Sequence, residues 1–170
     1  MSPPNAPLIV SALFGATDHA WLDGLRRAHY PPDLNRLPAH LTLFHHLPPS
    51  IEAELRARLR EATRGPPPFA EADGVANLGR GTAIRIVSPE LIALRDELGD
   101  AFRGLLTPQD AAGWRPHVTI QNKVSPEAAR ALRLTLERDI GRRRLAIVAL
   151  GVWRYRGGPW EAVSRHAFAG

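Results

Sequence analysis

The spacing of apolar residues along the chain changes repeatedly between the patterns that are typical of strands and of helices. Continuous or alternating apolar runs predict strands, whereas apolar residues that recur every three or four positions predict amphipathic helices. Strands are predicted at about residues 8–14, 40–47, 69–78, 82–87, 117–124, 144–154 and 160–168. Helices are predicted at about residues 17–30, from 50 to the Pro-rich segment at 66–68, at 89–102 and from 126 to about 140.

The predicted helices begin at residues that are typical of helix N-termini. Thr17 or Asp18 is expected to cap the first helix and Ser50 the second, because their side-chain oxygens can accept from free backbone N–H groups. Ser88 and Ser125 are each followed by Pro, which suits the first position of a helix. All four helices therefore have a start signal of their own.

The order strand–helix–strand–helix–strand occurs twice, and one more strand closes the chain. Such internal repetition indicates a duplicated β-α-β-α-β unit with two lobes related by a pseudo-twofold axis. The chain has 170 residues, of which 44% are hydrophobic, enough for one core. We therefore expect a single domain over residues 1–170, with lobes at about 1–79 and 80–170.

A four-residue pattern of His, apolar, Thr and apolar begins one strand in each half. It occupies residues 40–43 in "PAHLTLFHHLPPS" and residues 117–120 in "RPHVTIQNKVSP", each close behind a proline. Side chains alternate along a strand, and the apolar side is expected to pack under helices. The open faces are then expected to carry His40, Thr42, Phe44 and His46 in the first strand, and His117, Thr119, Gln121 and Lys123 in the second.

A pseudo-twofold axis would place two imidazoles and two hydroxyls around one small space. One neutral imidazole can remove a proton from an attacking oxygen while the other, protonated, supplies a proton to the leaving oxygen. The hydroxyls of Thr42 and Thr119 can donate hydrogen bonds to phosphate oxygens that gain charge in the transition state. This scheme needs no metal, and it leaves open which of His40 and His117 is the base.

These motifs resemble the paired His-x-Ser/Thr-x motifs of the two-histidine (2H) phosphoesterase superfamily, which includes the 2′-5′ RNA ligase (LigT-like) proteins and 2′,3′-cyclic phosphodiesterases. The likeness spans nearly the whole chain, including the closing "YRGGPW…F". It implies a bilobal α+β fold with antiparallel sheets lining a central cleft and helices outside. It also implies metal-free phosphodiester chemistry on cyclic or 2′-5′-linked nucleotides, with His40, Thr42, His117 and Thr119 as the motif residues.

One departure concerns how the phosphate is bound. Many relatives carry a basic residue shortly after a motif, whereas Phe44 and Gln121 stand at those positions here and Lys123 comes two residues later. Arg115 can bind a phosphate, and the preceding Trp114 can either stack on a base or cover the sheet edge. The residues expected to contact substrate are Phe44, His46, Arg115, Gln121, Lys123 and Tyr155.

Composition narrows the chemistry further. The absence of Cys excludes disulfides, thiolate zinc sites and a Cys nucleophile. Adjacent residues of a regular strand point to opposite faces, so His45 and His46 are not expected to share a metal ion, and we expect no metal and no cofactor. The net charge of +5 favours an anionic partner, RNA or a nucleotide, although its many Arg residues can also reflect a GC-rich genome.

No apolar run is long enough for a membrane helix, and the N-terminus lacks the pattern of a signal peptide, so we expect a cytoplasmic monomer. The preferred hypothesis is a phosphoesterase that hydrolyses, or reversibly ligates, 2′,3′-cyclic or 2′-5′ phosphodiester bonds. One alternative is a nucleotide- or RNA-binding module that keeps the cleft without turnover. Another is a plain scaffold of two ferredoxin-like halves, which would leave the repeated motif unexplained.

Overall fold

The computed structural model describes residues 5–170 and contains, within them, seven strands and five α-helices in the expected duplicated order. The predicted α+β class is confirmed. The elements are β1 (Leu8–Phe14), α1 (Ala16–His29), β2 (Leu41–Leu47), α2 (Glu52–Ala62), β3 (Phe69–Asn77), β4 (Thr82–Val87), α3 (Pro89–Ala101), α4 (Pro108–Ala111), β5 (His117–Gln121), α5 (Pro126–Asp139), β6 (Arg142–Arg154) and β7 (Glu161–Ala167), with 3₁₀ turns at Pro32–Leu34 and Pro49–Ile51.

All strand pairs among the described residues are antiparallel, and the strand order is β2-β1-β6-β3-β4-β5, with β7 also on β6. The long strand β6 joins the two halves, because residues 142–146 pair with β3 and residues 147–154 pair with β1. Strand pairing therefore cuts across the boundary expected near residue 79. β3 pairs with β4, and the C-terminal β7 lies in the same sheet as β1 and β2.

Two of the four predicted helix caps are present. Ser88 and Ser125 accept hydrogen bonds from backbone N–H groups three residues later, and a Pro follows each. The predicted cap at Thr17 or Asp18 is wrong, because α1 begins at Ala16 and Asp18 instead accepts from the backbone N–H of Ala146 at 2.7 Å. Ser50 is not a cap either, since it lies inside a 3₁₀ turn that precedes α2.

Strand β2 does not alternate as a regular strand would. Its pairing with β1 shifts by one residue on either side of the Val10–Phe44 pair, so Leu43 and Phe44 are both fully buried. Such bulges insert an extra residue and turn the following side chains. The prediction that Phe44 lies on the open face is therefore wrong, because its ring belongs to the core, and His45 and His46 are both exposed.

Most of the core is aliphatic, and a few polar side chains are buried at its margins. His166 of β7 is one of them, and its Nε2 lies 2.9 Å from the hydroxyl of Ser164. Burial, followed by repulsion from Arg56 and Arg60 of α2, lowers the pKa of His166.

Among residues 5–170, no helix has the length and apolar character needed to cross a membrane.

The lowered pKa of His166 predicts a loss of stability on acidification. The unfolded chain binds a proton near the usual pKa of 6.5, and the folded chain binds it only at lower pH, so stability falls as the pH drops below that value. We expect His166→Gln to reduce the fall in melting temperature between about pH 7 and about pH 5.

The control is His29→Gln, at the C-terminal end of α1, which leaves His166 and the arginines beside it in place and should therefore keep their contribution to the fall in melting temperature. Because His40 also has a lowered pKa, part of the pH dependence should persist in His166→Gln. An unchanged pH dependence in His166→Gln would contradict the assignment.

Candidate active site

Strands β2 and β5 stand at opposite ends of the strand order, yet side-chain hydrogen bonds from neighbouring segments link the two halves of the chain across a cleft. The indole Nε1 of Trp114, which precedes β5, donates to the carbonyl of Thr42 in β2 at 3.1 Å. In the reverse direction, Arg26 of α1 donates to the carbonyl of Thr119 in β5 at 2.9 Å. The side chain of Arg26 is itself oriented by Asn35 (Nε to Oδ1, 2.8 Å) and by the ring of Tyr30.

The motif residues of both halves line this one cleft, which has a volume of about 260 Å³. Each half contributes one motif histidine and one motif threonine, as the sequence predicts. Most of the other lining residues belong to α4 and the loop before β5. The lining residues are His40, Thr42, His45, Gln109, Gly113, Trp114, Arg115, His117 and Thr119.

Both motif imidazoles are held in the same way. The Nδ1 of His40 lies 2.8 Å from the carbonyl of Pro38, and the Nδ1 of His117 lies 2.8 Å from the carbonyl of Arg115. A carbonyl can only accept, so Nδ1 carries the proton in each ring. Each Nε2 is therefore left free to accept or donate a proton in the cleft.

The surroundings of His40 differ from those of an isolated imidazole. Burial is the largest cause that lowers its pKa, and the positive charges of Arg26, His45 and His117 lower it further. The hydrogen bond to Pro38 opposes these effects without cancelling them. His40 is therefore neutral at pH 7, with the lone pair of its Nε2 available.

The remaining residues expected to contact substrate are dispersed. Arg115 lines the cleft, whereas Phe44 is in the core and His46 lies outside the cleft lining. Gln121 is 7% exposed, because a register shift against β4 turns it inward, and Lys123 lies beyond the end of β5 in a left-handed conformation. Tyr155 stands in the turn after β6, away from the cleft.

Sequence reasoning missed a histidine and a carboxylate that the structure brings together at the site. His45 lines the cleft because of the β2 bulge, which strict alternation does not predict. Asp110 lies in α4, and its buried carboxylate accepts from the His45 ring and from two backbone N–H groups. The signal for α4 is present at Thr107-Pro108, the same cap-and-proline pattern that marks Ser88-Pro89.

A second cavity of about 470 Å³ adjoins the cleft and shares His40 with it. Cross-strand register places Thr42, Ser11, Gly151 and Arg165 in one row across β2, β1, β6 and β7. The lining residues are Ser11, Ala12, Leu13, Phe14, His19, Arg36, Leu37, Pro38, Ala39, His40, Trp153, Pro159, Trp160 and Arg165. The cavity therefore extends along the same row of the sheet that carries Thr42.

Two tryptophan rings line the second cavity next to His40, the lining residue that it shares with the cleft. The ring of Trp160 packs against His40 with centroids 4.8 Å apart, and Trp153 lies 6.2 Å from Trp160. The indole Nε1 of Trp153 donates to Ser11 Oγ at 2.7 Å. Gly151 makes this packing possible, because a Cβ there would lie only 3.0 Å from Trp153 Nε1.

The chain matches the family model of the 2′-5′ RNA ligase superfamily over residues 15–159. This match covers most of the sequence, so the protein belongs to that family, and the resemblance to LigT-like 2H phosphoesterases is confirmed. A search of curated proteins gave no significant match.

Solved structures show the same fold over almost the whole chain. Escherichia coli LigT complexed with 3′-AMP is 17% identical and has a TM-score of 0.65, covering 98% of this chain and 99% of that chain. TT0787 of Thermus thermophilus is 14% identical, with a TM-score of 0.66 over 96% of this chain and 98% of that chain. LigT complexed with NADP+ is 18% identical, with a TM-score of 0.63 over 96% and 98%.

Proposed function

We propose that this protein is a metal-independent phosphoesterase that cleaves, or in reverse forms, 2′,3′-cyclic or 2′-5′ phosphodiester bonds in RNA ends or small nucleotides. The observation that carries the proposal is the matched pair of imidazoles in one cleft. Each ring has its Nδ1 fixed by a backbone carbonyl at 2.8 Å and its Nε2 free. Two similarly oriented imidazoles suit a reaction in which one proton is removed and another is supplied.

The lowered pKa of His40 supports its assignment as the base. Its neutral Nε2 takes a proton from water as the water oxygen attacks phosphorus. Protonated His117 gives a proton to the ribose oxygen as its bond to phosphorus breaks. The products are a phosphomonoester and a free ribose hydroxyl, and the exchanged protons return through solvent.

Thr42 and Thr119 stand beside the two imidazoles, one from each half of the chain. Their hydroxyls donate to the non-bridging phosphate oxygens, where negative charge increases in the transition state. The backbone carbonyls of both threonines are already bound by Trp114 and Arg26, so the two strands hold their separation during the reaction. Reversal of the same proton transfers gives ligation.

The adjoining cavity suits the nucleoside part of the substrate. The aromatic rings of its wall can stack on a nucleobase of any type. Arg36 and Arg165, which also line the cavity, carry positive charge that complements an anionic ligand. Structures of E. coli LigT, which shares the fold, are complexed with 3′-AMP, ATP and NADP+. If the cyclic phosphate of a nucleotide is bound at His40, the nucleobase of that nucleotide lies within reach of the Trp160 ring.

Hydrolysis of 2′,3′-cyclic nucleotides in the presence of EDTA tests the proposal. We expect the wild type to hydrolyse at least one of the four cyclic nucleotides with chelator present. His40→Ala and His117→Ala should each lower kcat by about 10²–10⁴-fold, because each removes one proton-transfer group. Chromatography of the products also shows which ribose oxygen keeps the phosphate.

The matched control is His29→Gln, which should retain wild-type activity. Activity that survives both substitutions, or that disappears with EDTA, would contradict the proposal. Nucleotide binding with no turnover of any cyclic or 2′-5′ substrate would favour the binding module instead.

The pH dependence of kcat/KM reports the base in the free enzyme. Because burial and neighbouring charge lower the pKa of His40, activity should rise with pH through a midpoint below the usual 6.5. A second group that must be protonated should produce a fall at higher pH. A value of kcat/KM that stays constant from about pH 5 to about pH 9 would exclude paired-histidine catalysis.

The cavity makes a separate prediction about specificity. Trp160→Leu should raise KM for a 2′,3′-cyclic nucleotide about 10-fold, since stacking of one base contributes roughly 1–3 kcal/mol. Ribose 2′,3′-cyclic phosphate, which has no base, is the control substrate, and its KM should not change. An equal rise in KM for both substrates would mean that Trp160 affects the reaction only through its packing against the His40 ring, and not by stacking on the nucleobase.

A further inference from the structure

The cleft contains a third histidine whose ring is oriented by its own carboxylate. The Nδ1 of His45 lies 3.2 Å from Asp110 Oδ1, and the ring lines the cleft beside His40 and Thr42. The side chain of His45 is 41% exposed, whereas that of Asp110 is completely buried. The carboxylate therefore lies behind the ring, and the ring lies between Asp110 and the cleft.

Asp110 is fixed by more contacts than its short helix would supply. Its carboxylate accepts from the backbone N–H of His45 at 2.9 Å and from that of His46 at 2.9 Å. The guanidinium of Arg95 donates to the carbonyl of Asp110 at 2.7 Å and to that of Leu43 at 3.0 Å. These bonds fasten α4 to the bulge of β2, so the position of the His45 ring is set by both elements.

The charge of Asp110 determines which ring nitrogen of His45 carries a proton. Burial would raise the pKa of Asp110, but hydrogen bonds from the His45 ring and from the backbone N–H groups of His45 and His46 outweigh it and hold the pKa below its usual value. An ionised carboxylate can only accept, so Nδ1 of His45 donates to it. Its Nε2, on the far side of the ring, is left for a ligand.

The cleft wall carries little permanent positive charge with which to bind an anionic substrate. Arg115 is the only Arg or Lys among the described residues that line the cleft. A protonated His45 would donate Nδ1–H to Asp110 and Nε2–H to a phosphate oxygen, and both bonds would be charge-assisted.

We propose that His45, positioned by Asp110, is a third catalytic-site imidazole, which binds the phosphate group of the substrate in its protonated form. The inference rests on the proposed function only for the identity of the substrate. It gives the three histidines separate tasks, because His40 and His117 exchange protons while His45 supplies charge. The charged and titratable groups near this ring or its carboxylate belong to four segments. They are Asp110 from α4, Arg95 from α3, His40 just before β2, and Arg115 and His117 on the opposite cleft wall, while His46 contacts Asp110 through its backbone N–H.

Phosphate binding by the full chain tests this inference without requiring turnover. Titration with inorganic phosphate, followed by calorimetry, gives Kd for the wild type, His45→Gln and the control His29→Gln. We expect His45→Gln to weaken binding about 10- to 100-fold, as for the loss of a hydrogen bond between charged groups. His29→Gln should bind like the wild type.

Asp110→Asn tests the positioning residue through the pH dependence of binding. The amide has no charge, so phosphate binding should be confined to lower pH than in the wild type. Since all variants are titrated with the same ligand, the ionisation of phosphate itself cancels in the comparison. Asp110 also accepts from backbone N–H groups, so thermal melting must first show that Asp110→Asn is folded.

Nitrogen NMR of the His45 ring provides a measurement that needs no variant at Asp110. Saturation with phosphate should move the Nε2 signal to the position of a protonated nitrogen. Unchanged affinity in His45→Gln, an equal loss in His29→Gln, absence of phosphate binding by the wild type, or an Nε2 signal that does not respond would each overturn the inference. Phosphate binding through His45 with no hydrolysis of any cyclic nucleotide would instead contradict only the proposed function.

Discussion

The site depends on how two unpaired strand edges are joined. β2 and β5 end the strand order, and neither has a second strand partner among the described residues. Edge carbonyls normally face water or another strand. Here Trp114 donates to Thr42 and Arg26 donates to Thr119, so each motif threonine is held through its backbone by a side chain from the other half of the chain. This exchange fixes the distance between the strands without pairing them, and the space that remains is the cleft.

The orientation of the rings follows from equally short-range contacts. A carbonyl two residues before each motif histidine accepts from its Nδ1, so the local backbone sets the tautomer wherever the motif folds as a strand start. A prolyl residue stands close before each histidine, at Pro38 and Pro116, and limits the backbone just where that carbonyl must point. Local sequence therefore orients each ring, and long-range contacts only bring the two rings together. This division lets the motif recur in two lobes with different neighbours.

Local signals were sufficient for most of the fold, and long-range contacts decided the rest. The bounds of β1 and β4 and the caps at Ser88 and Ser125 follow from residue patterns alone. The bulge of β2 does not follow from residue patterns, because it results from pairing with β1. The burial of Phe44 and the exposure of His45 are consequences of this bulge, so the sequence did not predict them either. Asp18 has the residue type of a cap, but its carboxylate bonds to Ala146 of β6, a partner that is distant in sequence. The repeated motif predicted which residues would meet, whereas the strand pairing determined what surrounds them.

Those surroundings make the two halves chemically unequal. His40 packs against Trp160 and lies near Arg26, and burial together with nearby positive charge keeps its imidazole neutral. The bulge of β2 turns His45 toward the cleft, where its ring meets the carboxylate of Asp110 from α4. The residue at the same distance after the other motif histidine is Asn122, an amide with no imidazole. A symmetric pair of histidines would have no preferred direction of proton transfer. In the proposed reaction the unequal surroundings supply that direction, because an imidazole held neutral can begin only as the proton acceptor. The duplicated motif thus supplies two rings held in the same tautomer, and the unequal packing around them supports the proposal that His40 accepts the first proton.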